Sequence, residues 1–371
     1  MRILILSIND WLGLKQRVHH ITEYLSETNE VKYFCQTTWM KNNYTSYSKN
    51  EVRKHEIKVS DSLTVKRITV LPMNRLPLIN RINISIKKWI ISGIIAKFNP
   101  ECIITTLPEQ CFIIPKYYTG RVVYDCMDDH ASFTNNEKIN TYEKILVDRA
   151  SVVTVSSERL KEKIQKYDDR KQVVLIKNAT QFEDFYSYYI SNNIHKIKPS
   201  EFRDERKIVG YFGVVREWFN ADDILLSASE HQDCDYIIIG PVDNPNTQIR
   251  LSKANNVFCI GQRKYDELPK YLYYFDVCVM PFKLSELIKN VNPVKLYEYL
   301  SMGKPTVATY YDEIKEFEPY VYFSNDSKDF CNKISLALTE HDDDLVKKRI
   351  AFAMDNTWKV RAGQMMAAIE I

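Results

Sequence analysis

Glycine is scarce in this sequence, with 9 residues in 371, and two well-known glycine-rich phosphate motifs are absent. No G-x-G-x-x-G follows a strand-like run, which argues against a dinucleotide oxidoreductase, and no G-x-x-x-x-G-K-[ST] indicates a P-loop enzyme. Three of the few glycines, Gly213, Gly240 and Gly261, directly end apolar strand-like runs. Ligands bind at that edge of an open parallel sheet. Ordinary strand-to-helix turns also use glycine, but three on successive strands favour a backbone that approaches a nucleotide.

Paired cysteines and long apolar runs are also missing. None of the eight cysteines forms a C-x-x-C pair, and several lie in apolar runs, which is typical of core residues in a reducing cytosol. The apolar run after Arg2 spans only six residues, too short for a signal peptide, and no run approaches 18 residues. We therefore expect a cytoplasmic protein without a transmembrane helix. A net charge of +3 is too small to indicate a nucleic-acid partner.

Short Val- and Ile-rich runs alternate with longer amphipathic segments in both halves of the chain. This alternation predicts parallel sheets with helices on both faces, and the near-continuous apolar strands fit sheets buried on both sides. A length of 371 residues suits two domains. The polar segment 186–206 has no clear strand period, so we interpret it as the interdomain connection.

The stretch NPVKLYEYLSMGKPTVAT, residues 292–309, predicts a short helix followed by a strand. Asn292 is expected as the helix N-cap and Pro293 as a first-turn proline. The N–H groups of that turn form an anion site, to which Lys295 adds a full charge. Glu298 could then accept both hydroxyls of a ribose. The alternative is a surface ion pair between Lys295 and Glu298 at the i, i+3 spacing.

This stretch is similar to the nucleotide-sugar motif of GT-B glycosyltransferases, in the form Asn-Pro-x-Lys-x-x-Glu-Tyr-Leu. Four further segments resemble the family in the same order: 149–185, 208–220, 236–241 and 255–282. The resemblance is closest to bacterial transferases of teichuronic acid and exopolysaccharide assembly. It implies an α/β, GT-B fold of two Rossmann-like domains whose parallel sheets face each other across a cleft.

The resemblance also implies a domain plan and a donor site. An acceptor-binding domain (1–185) precedes the connection, a nucleotide-sugar-binding domain (207–350) follows it, and a C-terminal helix (351–371) packs back on the first domain. Glu298 would bind the ribose diol, and Arg216 and Lys295 would lie near the diphosphate. The full set implied for the nucleotide sugar is Gly213, Arg216, Gly240, Gln262, Arg263, Asn292, Lys295 and Glu298. Backbone around Gln262 and Arg263 would read the base.

One departure from the family leaves the donor sugar open. Many relatives carry a second glutamate eight residues before the one matched by Glu298, and this sequence has Asn290 there. The resemblance implies no metal ion and no cofactor, since the nucleotide sugar is a substrate.

The catalytic candidates lie in VVYDCMDDHASF, residues 122–133. Many relatives place a histidine after this strand, and Met127, which cannot accept a proton, aligns with it. Asp128 and Asp129 follow. Two adjacent carboxylates push their pKa values apart, so one could serve as the base for an acceptor hydroxyl. Alternatively, one of them caps the next helix or pairs with a basic residue. Asp125 lies within the strand and is interpreted as structural.

Two basic segments suggest binding surfaces. Lys15, Gln16 and Arg17 lie in the first strand-to-helix turn and could hold an anionic group of the acceptor, or form a solvated basic turn. Residues 75–98 mix Arg and Lys with Ile, Leu and Trp. Such a segment either lies on an anionic membrane surface or is a core-facing helix with a solvated basic side.

Together, these residues and the family resemblance predict a metal-independent glycosyltransferase that uses a nucleoside-diphosphate sugar, which we expect to be UDP-linked. Its acceptor would be a glycan or a polyprenyl-linked glycan in capsule or other cell-surface polysaccharide synthesis, at the inner face of the plasma membrane. Two alternatives stay open. The missing histidine and first glutamate suggest a non-catalytic GT-B partner subunit, and a GT-B sugar-nucleotide epimerase would need no acceptor.

Overall fold

The computed structural model describes residues 1–38, 54–73, 76–133, 138–191 and 196–371. The chain divides into two compact units. Unit 1 comprises Met1–Lys177 and Trp358–Ile371, and unit 2 comprises Asn178–Thr357. Each unit is built on one mostly parallel sheet with helices, which confirms the predicted α/β class.

The described part of unit 1 forms an eight-stranded sheet in the order β3-β4-β2-β1-β5-β6-β7-β8. All pairs are parallel except β3 with β4. The strands are β1 (Arg2–Leu6), β2 (Glu30–Thr38), β3 (Glu56–Lys58), β4 (Leu63–Val70), β5 (Cys102–Thr105), β6 (Arg121–Cys126), β7 (Val152–Val155) and β8 (Val173–Leu175). The helices are α1 (Arg17–Leu25), α2 (Pro77–Phe98), α3 (Ile139–Arg149), α4 (Glu158–Gln165) and, at the chain's end, α13 (Trp358–Glu370).

Unit 2 carries a six-stranded parallel sheet in the order β11-β10-β9-β12-β13-β14. Its strands are β9 (Lys207–Phe212), β10 (Cys234–Ile239), β11 (Val257–Gly261), β12 (Val277–Met280), β13 (Thr306–Thr309) and β14 (Tyr322–Ser324). Its helices are α5 (Phe182–Ile190), α6 (Ala221–Glu230), α7 (Pro245–Leu251), α8 (Leu268–Tyr273), α9 (Glu286–Lys289), α10 (Val294–Leu300), α11 (Ser327–Leu338) and α12 (Asp343–Asp355).

The strand order of unit 2 is that of a doubly wound nucleotide-binding sheet. Successive strands are added on one side of β9 up to β11 and on its other side from β12 onwards, so the strand order reverses between β9 and β12. Ligands of such sheets bind at the carboxyl ends of the strands beside this reversal. A ligand of unit 2 is therefore expected at the turn that follows β9.

The segment 186–206 is part of unit 2 in this structure, and unit 1 ends at Lys177 instead of residue 185. Phe185, which directly precedes the segment, and Phe202, which lies near its end, are buried in a cluster with Phe275 and Tyr299. Aromatic packing, which the polar composition does not reveal, thus joins the segment to the second core. Residues 192–195 of this segment lie outside the described residues.

The last helix, α13, belongs to unit 1. Trp358 at its start is fully buried and stacks on His20 of α1, with ring centroids 5.2 Å apart. Burying an indole of this size against α1 fastens the end of the chain to the first unit.

Candidate active site

Two glycines shape the turn after β9. Gly213 and Gly240 have φ values of 143° and 140°, which L side chains rarely adopt. A Cβ on Gly240 would lie 2.2 Å from the Gly213 carbonyl oxygen, and one on Gly213 would lie 2.2 Å from Cε of Lys295. The protein's own packing therefore requires both glycines, independently of any approach to a nucleotide.

Lys295 and Glu298 lie three residues apart on α10, below that turn. Glu298 is 4% exposed, so the alternative of a surface ion pair is wrong. Burial raises the pKa of Glu298 to about 7, while the hydroxyl of Tyr265 and the charge of Lys295 act in the opposite direction. Burial also lowers the pKa of Lys295, and Glu298 opposes that shift. The site thus holds two poorly solvated charged groups next to a glycine turn.

The Lys295 ammonium lies 5.7 Å from the centroid of the Tyr211 ring. A cation near an aromatic face is attracted by the ring quadrupole, although more weakly than by an anion. A phosphate group at this position would offer the ammonium a stronger partner.

Asn292 does not cap α10, contrary to the sequence prediction. The N-cap residue is Pro293, which makes no side-chain capping bond. The Oδ1 atom of Asn292 instead accepts hydrogen bonds from the backbone N–H of Asn178 at 2.9 Å and from the Tyr297 hydroxyl at 3.1 Å. With 1% exposure, Asn292 fastens the start of unit 2 to α10. The predicted anion site at this seven-residue helix therefore depends on Lys295 more than on the helix start.

The two arginines predicted at the donor site differ in how firmly they are held. Arg216 is half-exposed, pairs with Asp243 and lies 5.6 Å from the Trp218 ring. An exposed pair of this kind contributes little stability, so its guanidinium can change partner at low cost.

Arg263 donates hydrogen bonds to several other residues. It donates to Glu201 at 2.6 Å, to the Tyr271 hydroxyl at 2.7 Å and to the Ile260 carbonyl at 2.6 Å. Its side chain therefore braces the loop after β11. Gln262 beside it is exposed, which leaves the backbone of this loop as the base-reading element that the resemblance implies.

In unit 1, Asp128 and Asp129 lie after β6 and have opposite electrostatic environments. Burial raises the pKa of Asp128 to about 7; Arg17 opposes the shift, and Asp125 and Asp129 reinforce it. Among the described residues, no hydrogen bond or ion pair holds the Asp128 carboxylate. A carboxyl group that titrates near neutrality and is not bound by these residues is suited to accept a proton.

Asp129 is held by several partners, which include Lys163 and Ser132. Lys163 lies 2.7 Å from its Oδ1, and the Ser132 hydroxyl donates to Oδ2 at 2.6 Å. Burial alone would raise the pKa of Asp129, but these bonds outweigh it and lower the pKa. Pairs of carboxyl groups with separated pKa values are typical of acid–base sites, and here Asp128 is the better base.

His130, the next residue, is a candidate that the sequence analysis missed. Burial lowers its pKa, so the ring is neutral near pH 7. Its Nε2 atom is buried and finds no hydrogen-bond partner within the described parts of the chain. The signal was available, because His130 lies three residues after Met127, the position at which relatives carry a histidine.

The three residues predicted to hold the acceptor do not form one surface. Arg17 is 3% exposed and makes a two-point ion pair with Asp125, which removes it from the acceptor set. Lys15 pairs with Glu23 at 2.8 Å. Gln16 is the N-cap residue of α1, where its backbone N–H donates to Nδ1 of His19 at 3.0 Å, and its side chain accepts from Asn9 at 2.6 Å. Lys15 and Gln16 remain acceptor candidates, whereas Arg17 serves the fold.

Arg75, in the predicted membrane segment, lies outside the described residues. Leu76 is the N-cap residue of helix α2, and residues 77–98 form the helix itself. No helix in the described part of the chain is both long and apolar enough to cross a bilayer.

Comparisons with known proteins agree with this architecture. The sequence model of the family described as Glycosyl transferases group 1 matches residues 206–340. TuaH of Bacillus subtilis (strain 168), named as a teichuronic acid biosynthesis glycosyltransferase, is 28% identical over 60% of this chain and 58% of TuaH. The aligned region thus spans less than two thirds of that relative.

Two solved GT-B structures cover nearly the whole chain. Sucrose-phosphate synthase from Thermosynechococcus elongatus has a TM-score of 0.73 at 15% identity, covering 99% of this chain and 97% of its own. HepE of Anabaena, solved with UDP and glucose, has a TM-score of 0.68 at 14% identity, covering 99% and 98%. The chain thus has the GT-B fold, and residues 206–340 of its second unit are similar to the glycosyl transferases group 1 family.

Proposed function

We propose that the protein is a glycosyltransferase that moves a sugar from a UDP-linked donor to a hydroxyl of a glycan or polyprenyl-linked glycan. The buried Glu298, beside Lys295 and the Gly213 turn, carries this proposal. The match of unit 2 to group 1 transferases supports it, as do UDP in the HepE structure and the name of TuaH. The reaction would serve cell-surface polysaccharide synthesis at the inner face of the plasma membrane.

In the donor site, the Glu298 carboxylate accepts hydrogen bonds from the two ribose hydroxyls, and Lys295 faces the diphosphate. Both roles require the charged forms. A carboxyl group with a pKa of about 7 is only partly ionised at neutral pH, so donor binding releases a proton from Glu298. The diphosphate charge in turn favours the protonated form of Lys295.

In the transfer step, the acceptor oxygen forms a bond to the anomeric carbon of the sugar. The bond from that carbon to the diphosphate oxygen breaks, and its electron pair leaves with the nucleoside diphosphate. Asp128 takes the proton of the acceptor hydroxyl. Lys295 offsets the charge that develops on the leaving group, so we expect turnover to persist in EDTA.

The test measures UDP release from a panel of UDP-sugars by the purified full-length protein, with and without glycan acceptors. Release that depends on an acceptor and is lost in Glu298→Gln, but not in the exposed control Glu230→Gln, supports the proposal. Conversion of the sugar nucleotide without any acceptor would instead identify an epimerase. Donor binding without turnover under any condition would identify a non-catalytic partner subunit, and no binding of any nucleotide sugar would overturn the donor site.

A further inference from the structure

Helix α2 (Pro77–Phe98) turns large apolar side chains towards solvent. Leu78 and Trp89 are 70% and 78% exposed, and Ile82 and Ile86 are also exposed. At about 100° per residue, these four side chains lie within an arc of about 80°. We call this set, Leu78, Ile82, Ile86 and Trp89, the apolar stripe. A contiguous exposed stripe of this kind marks an interaction surface.

The opposite side of α2 already fastens the helix to unit 1. Ile91, Ile95 and Phe98 are buried there. Asn83 donates to the Leu71 carbonyl and accepts from the Leu71 N–H, both at 3.0 Å. The fold therefore holds α2 without using the apolar stripe.

Lys87 belongs to this inner side as well. Its ammonium donates to the Gln36 side chain at 3.3 Å, and burial lowers its pKa. It is thus unavailable to a membrane, in contrast to the other basic residues of the helix.

Exposed cations border the apolar stripe. Arg81 and Lys88 lie along one side of it and Lys97 along the other, and all three are exposed. Residues 77–98 contain no Asp or Glu. Within the described residues, none of the three cations forms an ion pair. An exposed apolar arc flanked by exposed positive charge complements a surface with an apolar interior and an anionic outer layer.

We propose that α2 lies along an anionic lipid bilayer, with the apolar stripe at the boundary between head groups and acyl chains. Tryptophan favours this depth, since its ring is apolar and its N–H is polar. Arg81, Lys88 and Lys97 bind the anionic head groups. Two copies of α2 packed face to face would bring these cations together, which disfavours self-association as the purpose of the stripe.

The exposed apolar surface continues before the helix. Leu71, Met73 and Leu76 are each at least 45% exposed. They extend the apolar area towards the amino end of α2 and deepen the contact with lipid. This surface lies entirely on unit 1, and its binding to lipid does not depend on transferase activity.

The experiment is co-sedimentation of the full-length protein with vesicles of phosphatidylcholine, alone or with one quarter phosphatidylglycerol. We expect binding to the anionic vesicles only, weakened by added salt. Leu78→Ser with Trp89→Ser should abolish it, and Arg81→Gln with Lys88→Gln should weaken it roughly 30-fold. Ile249→Ser, which removes an exposed apolar side chain of unit 2, is the matched control and should bind normally.

Three outcomes would overturn the inference. The first is no binding by the unaltered protein, and the second is equal binding to both kinds of vesicle. The third is self-association instead of lipid binding. In that case light scattering would show a dimer for the unaltered protein and a monomer for the Leu78→Ser, Trp89→Ser variant, and vesicle binding would be absent. Because all these side chains are exposed, the variants should fold, and circular dichroism checks that they do.

Discussion

The Arg17 guanidinium makes a two-point ion pair with the Asp125 carboxylate, with both N–O distances at 3.0 Å and both side chains 3% exposed. The pair joins the start of α1 to the end of β6. Thr154 donates to the same carboxylate at 2.7 Å. Asp128 follows three residues later, and the charge of Arg17 opposes the rise in its pKa. This buried pair therefore fixes the strand end from which the proposed base emerges.

Removing one member of this pair should destabilise unit 1. Arg17→Met leaves the Asp125 carboxylate buried without its cation, which typically costs about 3–5 kcal/mol. Urea denaturation measures the free energy of unfolding. The double variant Arg17→Met, Asp125→Leu, which leaves no unpaired charge, should recover most of the loss. If the single variant unfolds at the wild-type urea concentration, the pair does not support the fold.

Asp128→Asn should lower turnover by roughly 10²–10⁴-fold, the usual contribution of a general base, while donor affinity stays close to the original. The wild-type kcat/KM should rise as the pH increases through about 7, where Asp128 becomes ionised. Kinetics and calorimetry with UDP measure the two quantities separately. His130→Gln is the informative comparison. Full turnover in Asp128→Asn together with complete loss in His130→Gln would assign the base to His130.

The same substitution should stabilise the protein above neutral pH. Asp128 has a pKa of about 7 in the folded state against an ordinary value of 3.8, so the folded state holds this proton more tightly than the unfolded state. Its contribution to stability is complete below pH 3.8 and is lost as the pH rises through 7. Asn does not titrate. Relative to wild type, Asp128→Asn should therefore gain roughly 2 kcal/mol between pH 4 and 8, after allowance for solvent screening.

Urea denaturation at several pH values tests this gain. Asp129→Asn is the control with the opposite sign, because the Lys163 pair lowers the pKa of Asp129. Its loss relative to wild type should be present at neutral pH and vanish in acid. Equal pH dependence of the two variants would contradict the assignment of a raised pKa to Asp128.

Glu298→Gln should weaken the binding of UDP and of the UDP-sugar by about 1.5–3 kcal/mol, because hydrogen bonds to a charged group are lost. Calorimetry also tests the proton release: because the pKa of Glu298 is about 7, UDP binding by the wild type at pH 7 should release up to about half a proton, and the variant should not release it. Glu230→Gln, on the exposed side of α6, should bind as the wild type does. Unchanged UDP affinity in Glu298→Gln would remove Glu298 from the donor site.

Lys295→Met should weaken UDP binding more than uridine binding, since its proposed target is the diphosphate charge. Arg216→Met should have a smaller effect, because Arg216 is half-exposed and already paired with Asp243. The ratio of UDP to uridine affinity, measured by calorimetry, reports on the phosphates alone. A ratio that Lys295→Met leaves unchanged would contradict the diphosphate role.

Local patterns determined the fold class and the donor motif. The short Val- and Ile-rich runs that alternate with amphipathic segments predict buried parallel strands. The helix-to-strand stretch at residues 292–309 carries Lys295 and Glu298 at a spacing that is visible in the sequence. The glycines after β9 and β10 were also visible, because a turn of positive φ selects glycine from the chain's own geometry.

Only the tertiary structure decided which partners these residues have. Arg17 and Asp125 are 108 positions apart, Asn178 and Asn292 are 114 apart, and Lys163 reaches Asp129 over 34. No local pattern encodes such pairs. They show that Arg17 forms a buried ion pair and does not bind the acceptor, and they separate the pKa of Asp128 from that of Asp129. Helix α2 is apolar around much of its circumference, so its sequence could not tell which side packs inwards. Packing buried Ile91 and Ile95 and left Trp89 in solvent, because a helix can turn only one face to the core.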